Sequence, residues 1–164
     1  MSNSFTAQIE TARKKYEKRM VLIHKKVSAD LFRKVIVMTP VDTGRAKGNW
    51  MLGINAIPQE VSEDVDKSET GEKTVAKVIT GLESLRTGDT AVLANSLPYI
   101  VKLEYGGFPN PPLKGSYDKK TKSYIIKSAG GYSKQAPTGM VRTAIEEYRP
   151  ILNKAIALAK RETP

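Results

Sequence analysis

The first segment of the chain carries apolar residues at spacings of three and four positions, from Phe5 to Val35. This periodicity is typical of one face of an α-helix, and Pro40 disfavours helical geometry at the preceding residue. We therefore expect a helix over residues 5–38. At ~1.5 Å per residue its length would be roughly 50 Å, more than the width of a compact domain of this size, so part of it should project. The alternative is two shorter helices that break near His24.

Shorter apolar runs predict the elements in the middle of the chain. Strands are expected over residues 49–57 and 91–94. Residues 74–85 have helical spacing. A short helix should then begin near Pro98, which suits a first turn, and end at Gly106.

The last apolar stripe, over residues 140–159, is also helical, but Pro150 should kink it near Arg149. Before it, Tyr117 and residues 124–126 flank a polar stretch, which predicts a β-hairpin. The strands do not alternate regularly with the helices, so the expected fold class is α+β. We expect a small antiparallel β-sheet packed with a long N-terminal helix and a kinked C-terminal helix, plus the inserted β-hairpin.

Charge is unevenly placed along the 164 residues, whose net charge is +10. Residues 1–47 carry 11 basic and 4 acidic side chains, and residues 98–164 carry 12 and 5. Such basic blocks favour contact with polyanions or with an acidic protein neighbour. The length predicts a single domain over residues 1–164. Within it we expect a solvated, mobile acidic loop at residues 58–72 and an insert at residues 107–132.

Few residues could carry catalysis or bind a metal. Cysteine is absent, which excludes disulfides and thiolate zinc sites. His24 is the only histidine, and no Ser/His/Asp grouping can be assembled around it from the sequence. The acidic loop lacks the regular ligand spacing of a calcium loop. We therefore expect no enzyme activity, no cofactor and no metal. A nuclease that uses Asp64 and Asp66 is the enzymatic alternative.

No apolar run approaches the ~20 residues that cross a bilayer, and the N-terminus lacks a signal-peptide pattern. These features predict a soluble protein that is made in the cytoplasm and has no membrane partner.

Lysines cluster with aromatic residues in the insert, a combination that can follow a phosphate chain and stack bases. The plainer interpretation is that the tyrosines pack and the lysines keep the surface soluble. A small, basic nucleic-acid-binding accessory protein is thus an alternative function. The candidate contacts with DNA or with a neighbouring subunit are Lys119, Lys120, Lys122 and Lys127.

Three segments, in this order, resemble the tail-completion and neck proteins of tailed phages. They are residues 39–45 (TPVDTGR), residues 95–106 (NSLPYIVKLEYG) and residues 133–141 (SKQAPTGMV). In similar sequences the second segment runs almost directly into the third. Here residues 107–132 intervene, so the hairpin is interpreted as an added contact element.

The resemblance implies a virion structural protein without catalysis. Similar proteins assemble as rings, often sixfold, between the head connector and the tail tube. The implied partners are further copies of the chain, most often as a hexamer, together with the neighbouring connector and tail proteins and, non-specifically, packaged DNA.

On this interpretation the motif residues shape turns and do not bind a ligand. The expected roles are a turn between helix and sheet for Pro40, Asp42 and Gly44, the strand-to-helix junction for Asn95 and Tyr99, the end of the short helix for Gly106, and the start of the last helix for Pro137 and Gly139.

Overall fold

A computed structural model describes residues 2–113, 115–118 and 121–163, and its fold is α+β, as predicted. The elements follow one another as α1 Ser2–Met38, α2 Arg45–Gly48, β1 Met51–Ile54, α3 Glu72–Leu82, β2 Ala91–Ala94, α4 Ile100–Tyr105, β3 Ser116–Asp118, β4 Ser123–Ile125, β5 Ser128–Ala129, β6 Tyr132–Ser133, α5 Val141–Glu146 and α6 Tyr148–Glu162. Among the described residues the strands form three antiparallel pairs, β1–β2, β3–β4 and β5–β6.

The hydrophobic core lies where the C-terminal half of α1 meets α3, β1 and the start of α5. Ile36, Val78 and Met140 are almost fully buried there. Trp50 packs beside them, and its Nε1 donates to Oγ1 of Thr39 over 2.7 Å. This bond fixes the end of α1 against the beginning of β1.

Helix α1 is continuous over 37 residues, so the alternative of a break near His24 is wrong. Its C-terminal half is covered by α6. Their facing sides carry three ion pairs, whose spacing shows that the helices run antiparallel: Lys34 with Glu147, Asp30 with Lys154 and Lys26 with Glu162.

The N-terminal half of α1 extends past this covered region. Arg19 is held by the hydroxyl and carbonyl oxygens of Thr163, just after α6 ends. The helix N-terminal to Arg19 exposes the apolar side chains of Phe5, Ile9 and Tyr16. The sequence-based expectation of a projecting helix end is therefore confirmed.

The predicted kink in the last helix is present, and the break falls at Glu147, two residues before Arg149. Pro150 is the third residue of α6. A proline in the first turn removes an N–H that has no intrahelical partner, so the helix restarts just before it at little cost.

Two sequence-based expectations about the strands need correction. The strand expected over residues 49–57 is shorter, Met51–Ile54, because residues 45–48 form the helix α2 and Asn49 is its buried C-cap. The small sheet is not one unit but separate strand pairs. The inserted hairpin is present as β3–β4, and a second hairpin, β5–β6, turns at Gly130 and Gly131. None of the helices in the described part of the chain has the length and apolar character to cross a membrane.

Candidate functional site

The three segments that carry the family resemblance meet around one open cavity of about 520 Å³. They approach it from the α1–α2 turn, from α4 and from the stretch before α5. Its lining includes Pro40, Asp42 and Gly44 from the first segment, Tyr99 from the second, Gln135 from the third, and Phe108 and Lys127 from the insert.

Gly44 is the point where the acidic loop crosses the turn after α1. Its φ is +84°, and its carbonyl accepts hydrogen bonds from the backbone N–H groups of Gly48 (3.0 Å) and Asp66 (2.9 Å). A Cβ on Gly44 would lie 2.7 Å from the carbonyl oxygen of Asp66. Both the positive φ and the close approach require glycine.

The acidic loop is anchored at Asp66, so the expectation of a solvated loop is wrong at this residue. Asp66 is buried, and its carboxylate accepts from the N–H and hydroxyl of Ser68 and of Thr74, at 2.6–3.1 Å. Burial raises the pKa of Asp66, but these four donors outweigh it and lower the pKa to about 2. Asp66 thereby satisfies a free N–H in the first turn of α3.

Two further buried polar residues hold the same loop, and sequence analysis missed both. Nζ of Lys47 donates to the carbonyls of Val37, Ser68 and Glu69, the shortest of these bonds being 2.7 Å. Burial lowers the pKa of Lys47, against the attraction of Asp66 and Glu69.

Asn49 completes the anchoring of the loop. Its side-chain oxygen accepts from the N–H of Ser62 at 2.8 Å, and its amide donates to the carbonyl of Arg45 at 2.9 Å. The loop therefore lacks regular secondary structure but is tied to the helix–turn–strand unit by its backbone.

Asn95 joins the second segment to the first. Its amide donates to the carbonyl of Ala46 in α2 over 2.8 Å, while its oxygen accepts from the N–H of Leu97 over 3.2 Å. Tyr99 then caps α4 through its carbonyl, which accepts from the N–H of Leu103. Burial raises the pKa of the Tyr99 phenol, with the nearby Asp42 and Arg45 acting in opposite directions.

Glu104 joins the second segment to the third. One carboxylate oxygen accepts from the N–H groups of Met140 (2.7 Å) and Val141 (2.9 Å), and the other accepts from the N–H of Arg142 (2.9 Å). Gly139 makes room for it: its φ is +79°, and an added Cβ would lie 2.7 Å from the Glu104 carbonyl oxygen. Glu104 thus caps the N-terminus of α5 from another element.

The charge of Glu104 is stabilised by the same contacts. Burial raises the pKa of Glu104, but the backbone donors and the Arg142 guanidinium lower it by more. The net pKa therefore lies below the ordinary value. The guanidinium also stacks 5.0 Å from the centre of the Tyr105 ring. Sequence analysis placed Glu104 in a motif but gave it no role. A carboxylate two residues before a helix-ending glycine gave no sign of a partner more than 30 residues away.

The insert begins directly after Gly106, which terminates α4 with φ +83°. A Cβ on Gly106 would lie 2.8 Å from the Tyr132 ring. The carbonyl of Gly131 accepts from the N–H groups of Gly107 (2.9 Å) and Phe108 (3.1 Å), which closes the base of the insert. Pro137 is exposed before α5 and follows the buried Ala136.

The candidate lysines have different environments. Lys127 forms an ion pair with Asp42 at the rim of the cavity. Lys122 is exposed at a position of positive φ between β3 and β4. Lys119 and Lys120 lie outside the described residues. Tyr117 and Tyr124 contact each other edge to face, with centroids 5.4 Å apart, and both remain exposed.

The acidic residues considered for a nuclease are occupied by partners from their own chain. Asp64 pairs with Lys73 and Lys77, and both oxygens of Asp66 accept hydrogen bonds. Across the described ranges no three His, Cys, Asp or Glu side chains lie together in a way that could hold a metal ion.

No family model matches the chain, and comparison with characterised proteins and with solved structures found no relative. The interpretation of the site therefore depends on its own contacts. Those contacts run mainly from side chains to backbone, an arrangement that fixes shape.

Proposed function

We propose that the chain is a structural protein of a tailed-phage particle, a ring subunit at the head–tail junction that joins the connector to the tail. The observation that carries this proposal is the convergence of residues 39–45, 95–106 and 133–141 on one cavity. Segments that act together as one set of motifs should meet in the fold, and the meeting of these three segments supports the proposal.

The roles of the motif residues support a scaffold. Asn95 binds the α2 backbone, Glu104 binds the α5 backbone, and Gly44 and Gly139 permit close backbone approaches. Side chains used in this way set the relative positions of α2, α4 and α5. A rigid platform of this kind suits a subunit whose surfaces must match a neighbour.

Two exposed features are suited to contacts between subunits. One is the projecting half of α1, and the other is the β3–β4 hairpin with its exposed tyrosines. Exposed apolar side chains on such features are typical of interaction surfaces.

The experiment is a deletion of this gene from the phage genome that encodes it, with complementation from a plasmid. We expect separate filled heads and separate tails without complementation, and the chain as a component of joined particles with it. Complete, infectious particles that lack the chain would refute the proposal.

A hairpin variant tests the insert within the same assay. Residues 116–124 are replaced by a short Gly/Ser link, because Gly115 already lies against the backbone of Ile125. This keeps Gly106, Gly131 and the Lys127–Asp42 pair. We expect a normally folded chain that fails to join heads to tails. An unchanged phage yield would mean that the hairpin is not part of the contact surface.

DNA binding separates this proposal from that of a nucleic-acid-binding accessory protein. Such a protein would bind DNA tightly as a monomer, with an affinity that falls steeply as salt rises. We expect weak binding at physiological salt.

A further inference from the structure

Four large apolar side chains form a row on the projecting half of α1. Phe5, Ile9, Tyr16 and Met20 are 66%, 52%, 61% and 61% exposed. Their spacings of four, seven and four residues keep them on one face of the helix over ~22 Å. We call these four residues the N-terminal row.

The exposed area of the N-terminal row is comparable to that of the largest apolar patch on a typical monomer. With ~150–250 Å² for each large side chain, the four together expose roughly 400 Å². The largest apolar patch of a monomer is about 300–600 Å², and a stable interface buries about 800 Å² on each partner. The row therefore supplies about half of one side of a stable interface.

A groove elsewhere in the fold offers an apolar surface that could receive the N-terminal row. It lies between β1 and α3, has a volume of about 750 Å³, and is lined by side chains that include Met51, Leu52, Ile54, Ile57 and Val78. Ile57 at its edge is 68% exposed. Helix-in-groove recognition uses such a surface to receive apolar residues spaced by about one helical turn. We call it the β1–α3 groove.

The charges of the two surfaces are complementary. Residues 2–20 carry five basic and two acidic side chains. Among the acidic residues of the 58–72 loop, Glu60 lines the groove, whereas Glu63 and Asp64 are paired within the chain and Asp66 is buried. Lys77, which also lines the groove, is paired with Asp64, so Glu60 is the charge that the groove offers to a basic helix. A basic helix approaching this face is attracted to it.

The N-terminal row cannot reach the groove of its own chain. Lys25 of α1 contacts Glu83, immediately after α3. Phe5 lies 20 residues away along a continuous helix, a distance of ~30 Å. Folding the row back would require breaking α1, so the row can enter such a groove only on another molecule.

We propose that the N-terminal row of one copy docks into the β1–α3 groove of a second copy. The contact is head to tail, because different surfaces meet, and repeated contacts of this kind close into a ring when the rotation between copies allows it. The inference rests on the proposed ring assembly and names the two surfaces that build it.

Introduced cysteines test the contact in the full chain, which has no cysteine of its own. Tyr16→Cys and Ile57→Cys are prepared separately, mixed and oxidised, and the covalent dimer is followed on a denaturing gel. Lys18→Cys is the matched control on the helix, exposed on the opposite face, and Thr87→Cys is an exposed control at a residue that does not line the groove. Because a docked pair has a high effective concentration, we expect the Tyr16→Cys and Ile57→Cys mixture to crosslink at least ~10-fold faster than either control mixture.

Other results overturn the proposal. Crosslinking at the control rate would mean that the two surfaces do not meet. Faster crosslinking of Tyr16→Cys with itself would mean that two helices pair with each other and leave the groove empty.

The outcome is separable from that of the proposed function. If the crosslink fails but the chain is still required to join heads to tails, only the helix–groove contact is wrong. If the crosslink forms but complete particles lack the chain, the contact remains and the place in the virion is wrong.

Discussion

Replacing Glu104 by glutamine tests the joint between α4 and α5, on which the geometry of the motif cluster depends. The substitution keeps the size of the side chain and removes its charge. In the native fold the carboxylate accepts three backbone N–H groups at 2.7–2.9 Å and Nε of Arg142 at 3.3 Å. Glutamine retains a single acceptor oxygen, so its NH₂ group must face at least one of these donors.

The magnitude follows from those contacts. A hydrogen bond to a charged group contributes ~1.5–3 kcal/mol, and a buried donor left without a partner costs ~1–3 kcal/mol. Since glutamine keeps part of the network, we expect the free energy of unfolding to fall by about 3 kcal/mol, which lowers the Tm of a chain this size by roughly 6–12 °C. Glu146→Gln is the matched control, because Glu146 is exposed on α5, the helix that Glu104 caps, and should change stability by less than ~0.5 kcal/mol.

The pH dependence gives an independent readout. The folded-state pKa of Glu104 lies below its ordinary value of 4.5. Its contribution is therefore fully present above about pH 4.5 and is lost as the pH falls through the folded-state pKa. Urea unfolding at a series of pH values should show a stability difference between wild type and Glu104→Gln that narrows on acidification. A difference below ~0.5 kcal/mol at pH 7 would refute the capping role.

Three further predictions concern the anchors of the turn and the loop. Asp66→Asn should lower the free energy of unfolding by about 2 kcal/mol at pH 7, because the pKa of Asp66 is about 2 in the folded state against an ordinary 3.8. In urea unfolding, this stability difference from wild type should disappear as the pH falls from 3.8 to about 2, and a difference that stays constant would contradict the lowered pKa. Gly139→Ala should lower the free energy of unfolding by ~2 kcal/mol or more, because the alanine Cβ would meet the Glu104 carbonyl oxygen at a residue of positive φ. A Tm equal to that of wild type would refute the close approach. Lys47→Met should leave three carbonyls without their donor and cost ~2–3 kcal/mol in the same unfolding assay, and protease resistance of the 58–72 loop unchanged from wild type would exclude its anchoring role.

The long periodic elements could be predicted from the sequence because each carries many local signals. The apolar spacing of α1 repeats over nine turns, and Pro40 marks its end. Strand β2 was predicted with its observed bounds, Ala91–Ala94, because it is a short apolar run between turn residues. The break before α6 could be predicted because Pro150 favours the first turn of a helix, so a new helix starts just before it.

The anchoring contacts could not be predicted because each depends on a partner that is distant in sequence. Two of the three acceptors of Lys47 lie 21 and 22 residues further on, and the N–H donors to Glu104 lie 36 to 38 residues further on. A single sequence gives the local propensity of such residues but not their pairing. The acidic composition of residues 58–72 therefore indicated a solvated loop, although one carboxylate is buried.

The exposed half of α1 raises the question of why it should be helical without tertiary cover. An isolated helix of this length would be marginal, because forming the first turn is unfavourable. Here the packed C-terminal half already supplies that nucleus, so each further residue needs only propagation. Local pairs add to it: Arg13 contacts both Glu10 and Glu17, at the three- and four-residue spacings that favour a helix. The N-terminal row is thus held in helical form before a partner arrives, which lowers the ordering cost of docking.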